Sequence, residues 1–470
     1  MDIKFTCFIG IDLTMHIHIL GICGTFMGSL ALIAKQQGHQ VSGCDSNVYP
    51  PMSLQLEMQG INLIEGFDVK QLEPYPDLIV IGNAMVRGNP CVEYVLNNKI
   101  PYVSGPQWLG ENILQHKHVF SVSGTHGKTT TSSMLAKILD SAGLNPGFLI
   151  GGIPQDFGKS ARLTNADYFV IEADEYDSAF FDKRSKFIHY FSDTLIINNL
   201  EFDHADIFDD IGAIQKQFHH LVRTIPSNGN IILPKECEAI EVVIDQGCWS
   251  NKHYFGEGPD DLWCYQLIET DGSKFKITFD GVNQIEEAIV EWKHSGLHNV
   301  TNAIAATMAA HLIGISVNQA CAALSDFIGV KRRMEVIYSD ANVTVYDDFA
   351  HHPTAIKTTL EGLRAKVSTE FILAIIEPCS ATMRMGVHGH NLASSVVSAD
   401  QVMWYQNSAT NWDMTDLSTN ASLPSSVVSD LEELIEKTKS SIQEKTHIVI
   451  MSNGSFEGFH LKLLNSFRHS

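Results

Sequence analysis

Short apolar runs alternate with amphipathic stretches along the first quarter of the chain, and a glycine often ends each run. Runs of this length between turn residues indicate buried strands, and the stretches between them have the apolar spacing of helices. The strands are predicted at residues 16–20, 40–45 and 77–82. Because strand–helix alternation produces a parallel sheet, a Rossmann-like domain is expected over residues 1–116.

The same alternation resumes in the middle of the chain, where buried strands are predicted at residues 118–122, 168–171 and 194–197. The pattern changes at residues 249–292, where Phe275, Ile277 and Phe279 alternate with polar residues. Alternation of this kind is typical of an antiparallel strand with one solvated face. A second domain with a mixed sheet is therefore expected over residues 117–330.

The last part of the chain, residues 331–470, again shows an α/β pattern. Ile356, Leu360 and Leu363 share one face of a predicted helix after Pro353. The strands of this part are predicted at residues 343–346, 371–376, 402–405 and 447–451. A third domain, also Rossmann-like, is therefore expected.

Composition excludes several classes of protein. The 470 residues carry 32 Lys and Arg against 54 Asp and Glu, a net charge of −22, which is unsuited to broad electrostatic binding of nucleic acid. No apolar run reaches the roughly 18–20 residues of a membrane span, and the patch at residues 8–11 is a poor secretion signal. Nine Cys without a CxxC pair favour reduced thiols. A cytoplasmic protein without a nucleic-acid or membrane partner is expected.

A glycine loop between a predicted strand and a predicted helix has the strongest chemical signature, and it comprises Gly124, Thr125, His126, Gly127, Lys128, Thr129 and Thr130. Glycines let backbone N–H groups turn towards a phosphate, and the helix N-terminus adds positive partial charge. Lys128 can reach the terminal phosphates, and the Thr129 hydroxyl can ligate Mg²⁺. A plain glycine turn is the alternative. With this loop the central domain is predicted to be P-loop ATPase-like.

Acidic and histidine side chains follow the next two predicted strands. Glu172 comes directly after the strand at 168–171, where ligands bind in parallel sheets, and carboxylate oxygens suit Mg²⁺. A solvated acidic loop is the alternative. His204 lies in the loop after the strand at 194–197, where it could ligate a metal, hold a phosphate or be structural.

Three further stretches carry candidate residues. Asn299 and Asn302 open a predicted helix and could bind a purine edge or serve as caps. Arg332 and Arg333 lie at the expected domain junction and could stabilise a transferring phosphoryl group or belong to a solvated linker. Asp348 follows a strand and could accept both ribose hydroxyls or cap the following helix.

A second glycine turn lies near the N-terminus, where Gly21, Gly24 and Thr25 follow the first strand and open a helix. Asp45 ends the next strand, as in dinucleotide-binding folds. The turn lacks the full G-x-G-x-x-G spacing. It therefore indicates a diphosphate near this helix without specifying the nucleotide.

These motifs, in this order, resemble the Mur ligase family, the ATP-dependent amide-forming enzymes of peptidoglycan assembly, from Met15 over nearly the whole chain. The resemblance implies catalytic roles for Lys128, Glu172, His204 and Arg333. It implies ATP contacts by the 124–130 loop, Asn299, Asn302, Arg332 and Asp348, and Mg²⁺ ligation by Thr129, Glu172 and His204. Substrate contacts are expected from Gly21, Gly24, Thr25, Asp45, His351 and Arg384.

Within the family, the N-terminal turn and the His-Gly-Lys form of the loop resemble the branch that acts on UDP-N-acetylmuramate. Longer runs resemble the members that attach the murein tripeptide L-alanyl-γ-D-glutamyl-meso-diaminopimelate during wall recycling, and these are residues 47–52, 82–85, 181–186 and 201–210. The resemblance thus implies ATP and Mg²⁺ as cofactors and UDP-N-acetylmuramate and the tripeptide as substrates. The alternative within this branch is the ligase that adds L-alanine.

Two stretches depart from the family pattern. Several Mur ligases carry a carbamoylated lysine after the metal histidine, but the corresponding stretch at 216–220 places His219 nearer that position, so no carbamate is assigned. Cys379 stands where the family pattern suggests Arg, which leaves the local acceptor contacts to Arg384.

Three functions outside this branch remain open from the sequence. The N-terminal fold also suits a nicotinamide oxidoreductase, although a second nucleotide loop at Gly124 argues against it. A non-enzymatic nucleotide-switch module would not couple ATP turnover to an amine acceptor. A folate-polyglutamate ligase shares the central loop, but its family lacks this N-terminal domain.

Overall fold

The computed structural model describes residues 14–48, 52–258, 261–282, 284–419 and 422–468, with the backbone alone at position 390. The predicted poor secretion signal and the middle of the 47–52 run lie outside these residues. No helix in the described ranges is long and apolar enough to cross a membrane.

The chain divides into two compact units. The first comprises the residues up to 116 together with segments 161–165 and 177–190, and the second comprises the remainder. The two added segments belong to the predicted central domain, and the predicted boundary at 330/331 falls inside the second unit. The three sets of domain bounds remain predictions.

The first unit contains a parallel sheet with the strand order β3-β2-β1-β4-β5. The elements up to residue 116 are β1 (His16–Leu20), α1 (Thr25–Gln36), β2 (Gln40–Asp45), α2 (Met52–Met58), β3 (Asn62–Glu65), β4 (Leu78–Ile81), α3 (Pro90–Asn98), β5 (Tyr102–Ser104) and α4 (Gly105–Asn112). The predicted Rossmann-like class is confirmed. The turn at Gly21 follows β1, next to the point where the strand order reverses, which is where ligands bind in such sheets.

The middle of the chain forms a mixed sheet. The elements in this part of the chain are β6 (His118–Ser123), α5 (Lys128–Ser141), β7 (Gly147–Leu149), β8 (Ala161–Arg162), β9 (Tyr168–Glu172), β10 (Asp177–Ala179), β11 (Asp182–Ser185), β12 (Thr194–Ile197), α6 (Ile211–Val222), β13 (Asn230–Pro234), α7 (Glu238–Asp245), β14 (Asn251–Glu257), β15 (Trp263–Leu267), β16 (Lys274–Gly281), β17 (Gln284–Glu291), α8 (Leu297–His311) and α9 (Val317–Ser325). Strands β8, β10 and β11 lie in the segments that belong to the first unit, and β10 pairs antiparallel with β11. In the second unit the strand order is β17-β16-β15-β14-β13-β12-β6-β9-β7.

The predicted antiparallel patch at 249–292 is only partly correct. Strands β15, β16 and β17 pair antiparallel, but β14 is parallel to both β13 and β15. The reason is the connection: α7 carries the chain from β13 to β14, and a helical crossover returns the next strand in the same direction. The alternation at Phe275, Ile277 and Phe279 lies within β16 and therefore does not indicate the direction of β14.

The last part of the chain forms a sheet with the strand order β18-β19-β23-β20-β21-β22, in which only β18 is antiparallel to its neighbour. Its elements are β18 (Glu335–Ser339), β19 (Val343–Asp348), α10 (Pro353–Val367), β20 (Phe371–Ile376), α11 (Ala381–Arg384), α12 (Gly389–Ser395), β21 (Gln401–Tyr405), α13 (Thr415–Thr419), β22 (Ser425–Val428), α14 (Leu431–Ser440), β23 (Thr446–Met451) and α15 (Phe459–Arg468). The predicted helix face of Ile356, Leu360 and Leu363 is buried in its core. The predicted three-part α/β class is confirmed.

Candidate active site

The 124–130 segment, called the phosphate loop below, connects β6 to α5 in a conformation that requires glycine. Gly124 and Gly127 have φ of 126° and 80°. A Cβ at Gly124 would lie 2.9 Å from the carbonyl oxygen of Asn199. The His126 amide donates to the Asn199 side chain at 2.8 Å, so the loop after β12 fixes the shape of the phosphate loop.

Lys128 is held at the first position of α5 by an acidic partner. Its Nζ lies 2.8 Å from Oε2 of Glu175, and only 12% and 3% of the two side chains are exposed. Burial alone would lower the pKa of Lys128, but Glu175, Asp174 and Glu172 together raise it above its usual value. The lysine is thus a fixed cation. Glu175 was not singled out from the sequence, although it stands only three positions after Glu172.

His204 shares the Glu175 carboxylate with Lys128. Its Nε2 lies 2.9 Å from Oε1 of Glu175. Burial lowers the pKa of His204, but this carboxylate outweighs burial and raises it. Ligand atoms of Asp174, Glu175 and His204 lie within 4.8 Å of one another, so this group could hold a divalent cation. His204 thus lies with Asp174 and Glu175 rather than with Thr129 and Glu172, the other two predicted metal ligands.

Glu172 and Thr129 form a separate pair at the other side of the loop. The Thr129 hydroxyl donates to Oε1 of Glu172 at 3.0 Å, and the Gly151 amide donates to Oε2 at 2.7 Å. Burial raises the pKa of Glu172, and the charge of Lys128 opposes this. A hydroxyl and a carboxylate are oxygen donors of the kind that Mg²⁺ prefers. The donor set therefore fits the predicted magnesium.

The two junction arginines have different surroundings. Arg333 places Nη2 3.4 Å from Oγ1 of Thr129, and its guanidinium lies over the Phe349 ring at 4.8 Å. Arg332 instead donates to the backbone carbonyls of Ser452 and Gly454 at 2.7 and 2.9 Å. The structure therefore brings Arg333 to the phosphate loop, whereas Arg332 ties the backbone after β23 to the junction.

Asp348 is the last residue of β19, and His351 lies in the turn that follows it. The Asp348 carboxylate accepts backbone amides of Met334 and Ala350, both at 2.8 Å, and its burial raises its pKa. His351 binds the Phe349 carbonyl through Nδ1 at 3.0 Å, and burial lowers the pKa of its imidazole to about 4. Backbone groups thus hold both side chains in place, from residues 349–350 of the same turn and, for Asp348, also from Met334.

Most of the predicted residues of the second unit line one cleft of about 980 Å³. They are Thr125, His126, Gly127, Lys128, Thr129, Thr130, Glu172, His204, Asn299, Asn302, Arg333, Asp348 and His351. Asn302 is buried and accepts from the amide of Asn198 at 3.3 Å, whereas Asn299 donates to the Ser295 carbonyl at 2.8 Å. A nucleotide-sized space thus lies directly over the phosphate loop.

The remaining predicted residues lie outside this cleft. Arg384 ends α11 and donates to the Cys379 sulfur at 3.1 Å. Lys216 is exposed on α6. In the first unit, Gly21 has a φ of 82°, Gly24 and Thr25 begin α1, and Asp45 accepts the Cys23 amide at 3.0 Å. These placements leave their predicted roles as predictions.

Family comparison agrees with the fold and the cleft. The chain matches the Mur ligase family catalytic domain at residues 16–117, the Mur ligase middle domain at 122–310 and the Mur ligase glutamate ligase domain at 332–454. The chain therefore belongs to the Mur ligase family.

Individual relatives give further detail. The chain is 50% identical over 454 residues to the UDP-N-acetylmuramate–L-alanyl-γ-D-glutamyl-meso-2,6-diaminoheptandioate ligase of Haemophilus influenzae, covering 96% of this chain and 99% of that one. A crystal structure of a murein peptide ligase from Psychrobacter arcticus is 49% identical with a TM-score of 0.75, covering 96% and 98%. The UDP-N-acetylmuramate–L-alanine ligase of Syntrophomonas wolfei is 32% identical, covering 82% and 80%.

Proposed function

We propose that this chain is an ATP-dependent ligase that joins L-alanyl-γ-D-glutamyl-meso-diaminopimelate to UDP-N-acetylmuramate in peptidoglycan recycling. The main observation in support of this proposal is the arrangement of charged side chains around the phosphate loop. Lys128, Arg333 and the Thr129–Glu172 pair converge on one cleft, and together they provide two cations and a magnesium-type donor set. Groups of this kind stabilise the charge of a transferring phosphoryl group.

The chemistry follows from the poor reactivity of a carboxylate towards an amine at neutral pH, since oxide is a poor leaving group. In the proposed reaction the muramate carboxylate attacks the γ-phosphorus of ATP, which forms the acyl phosphate and releases ADP. The neutral peptide α-amine then attacks the acyl carbon, and the amide forms with loss of phosphate and of one amine proton. Lys128 and Arg333 neutralise charge on the phosphoryl oxygens. Thr129 and Glu172 would hold Mg²⁺, which when bound offsets phosphate charge as a Lewis acid.

The choice of acceptor rests on the relatives. The Haemophilus influenzae ligase, named for the tripeptide, is 50% identical, whereas the alanine ligase is 32% identical over a smaller share of the chain. The glycine turn after β1 is proposed to bind the diphosphate of the UDP-sugar through backbone amides. A cytoplasmic location accords with these nucleotide substrates.

The decisive experiment compares acceptors. The purified protein is supplied with ATP, Mg²⁺ and UDP-N-acetylmuramate, and ADP release is followed with either L-alanine or the tripeptide. Tripeptide-dependent ADP release with formation of the UDP-linked product is expected. Release with L-alanine alone would favour the alanine-adding alternative, and release with neither would contradict the proposed reaction.

A further inference from the structure

A second group of ligand-type side chains includes a residue of the phosphate loop itself. It consists of His126 from that loop, Glu201 from the loop after β12, and His352, which precedes α10. One ligand atom from each lies within 4.8 Å of the other two. These residues, called the HEH cluster below, are separate from the Asp174–Glu175–His204 group.

The distances in the HEH cluster do not correspond to good hydrogen bonds. Oε2 of Glu201 lies 3.6 Å from Nε2 of His126 and 3.5 Å from Nδ1 of His352. Hydrogen bonds between such atoms have lengths of about 2.7–3.2 Å. Ligands at about 2.0–2.1 Å from a tetrahedral Zn²⁺ are separated by about 3.3–3.4 Å, which follows from the tetrahedral angle. These two separations are thus close to the edges of a tetrahedral metal site, and the third, between His126 and His352, is within 4.8 Å.

The partners of His352 and Glu201 orient them as metal ligands. Nε2 of His352 lies 3.3 Å from the carbonyl oxygen of Phe202, and Nδ1 lies 3.5 Å from Oε2 of Glu201. Ligating histidines commonly donate their other nitrogen to such an acceptor. Thr354 donates its hydroxyl to Oε2 of Glu201 at 2.6 Å. A metal at Nδ1 would replace only a long bond of 3.3 Å from the Thr354 amide.

A fourth side chain adjoins the HEH cluster. The ring of His388 lies 4.6 Å from that of His352, and His388 is 9% exposed. Its Nε2 is buried and has no hydrogen-bond partner among the residues that the structure describes. His388, His352 and Glu201 line a cavity of about 320 Å³.

We propose that the HEH cluster binds a divalent transition metal of the Zn²⁺ class, with His126, Glu201 and His352 as ligands and the fourth position facing the cavity beside His388. Two imidazoles and one carboxylate favour such ions over Mg²⁺, which prefers oxygen donors. The bound metal would fasten the phosphate loop to the start of α10. This site goes beyond the proposed ligase reaction and does not depend on it.

The test uses Co²⁺ as a probe, because tetrahedral Co²⁺ has strong visible absorption. The full chain is titrated with Co²⁺ in excess Mg²⁺ and without nucleotide. One equivalent with tetrahedral absorption is expected, and Zn²⁺ should displace it. His352→Asn keeps a side chain that can cap α10 but removes the imidazole, and it should weaken Co²⁺ binding on the order of 100-fold. Glu201→Gln should weaken it similarly.

Two matched controls separate this site from others. His253→Asn removes a histidine that binds Asn230 at 2.9 Å in the same unit, and it should leave the Co²⁺ spectrum unchanged. His204→Asn alters the other candidate group and should also leave it unchanged. Retention of the wild-type spectrum by a folded His352→Asn protein, as judged by circular dichroism, would overturn the proposal, as would loss of the spectrum in His204→Asn alone. Absence of tetrahedral absorption in the wild type would do the same.

Discussion

Two turns of similar local design open helices α1 and α5, but their surroundings differ. The turn before α1 passes through Gly21 and Gly24, and Asp45 accepts the Cys23 amide there. The turn before α5 has Gly127 in the left-handed region and is followed at once by Lys128. Both turns offer backbone amides at a helix N-terminus, which suits a phosphate.

This difference indicates that a glycine turn at a helix N-terminus can bind a phosphate, whereas the side chains from neighbouring strands determine which chemistry follows. At the second turn, Glu172 from β9, Glu175 beyond it and Arg333 from the junction contact Lys128 or Thr129. The first turn is accordingly expected to bind a substrate and the second to support phosphoryl transfer. Four substitutions test this contrast, and they are given from the largest expected effect to the smallest.

Substitution of Lys128 should remove the catalytic role that separates the second turn from the first. Lys128→Ala is expected to lower tripeptide-dependent ADP formation by at least about 1000-fold, because the fixed cation stabilises the transferring phosphoryl group. The matched control is Lys137→Ala on the same helix, where Lys137 pairs with Asp156 at 2.9 Å. It should keep turnover while lowering the thermal midpoint. Full activity in Lys128→Ala would contradict the assignment.

Substitutions of the two junction arginines should have different effects: one should chiefly lower turnover and the other should chiefly lower the free energy of unfolding. Arg333→Lys is expected to lower turnover about 100-fold, because an ammonium does not reproduce the planar guanidinium over Phe349 and beside Thr129. Arg332→Lys should chiefly lower the free energy of unfolding, by about 1–2 kcal/mol, since it loses bonds to backbone carbonyls. Turnover and urea unfolding are measured for both. Equal losses of turnover in the two variants would contradict the assignment of Arg333 to catalysis and of Arg332 to stability.

The dependence of turnover on Mg²⁺ concentration should change when the second turn is altered but not when the first turn is. Glu172→Gln keeps one acceptor oxygen, for the Gly151 amide, and its NH2 group can donate to the Thr129 hydroxyl, but the negative charge is lost. The Mg²⁺ concentration at half-maximal rate should therefore rise about tenfold. Glu432→Gln on the exposed face of α14 serves as the charge-matched control. An unchanged Mg²⁺ titration in Glu172→Gln would count against this metal role.

The first turn should affect one substrate only. Asp45→Ala removes the acceptor of the Cys23 amide and loosens the turn, so the KM for UDP-N-acetylmuramate should rise about fivefold while the KM for ATP stays the same. Asp68→Ala, which removes a cap on a short 3-10 turn of the same unit, is the control. A parallel rise in both KM values would show that the two turns do not have separate roles.

The order of apolar runs predicted most strands because a buried strand needs a continuous apolar sequence whatever its neighbours are. It did not predict that β14 is parallel to β13, since direction depends on the crossover through α7. The phosphate loop was predictable because its residues are adjacent in the sequence. Glu175 was not, because its importance comes from meeting both Lys128 and His204, which are distant along the chain.

The sequence by itself determined the α/β class, the two glycine turns and the identity of the charged residues near them, because these depend on local spacing and composition. The tertiary structure decided which charges meet. It separated Arg333 from its neighbour Arg332, divided the predicted metal residues between two groups, and brought His126, Glu201 and His352 together. The physical reason is that parallel strands align their carboxyl ends, so residues far apart in the chain share one edge and one electrostatic environment.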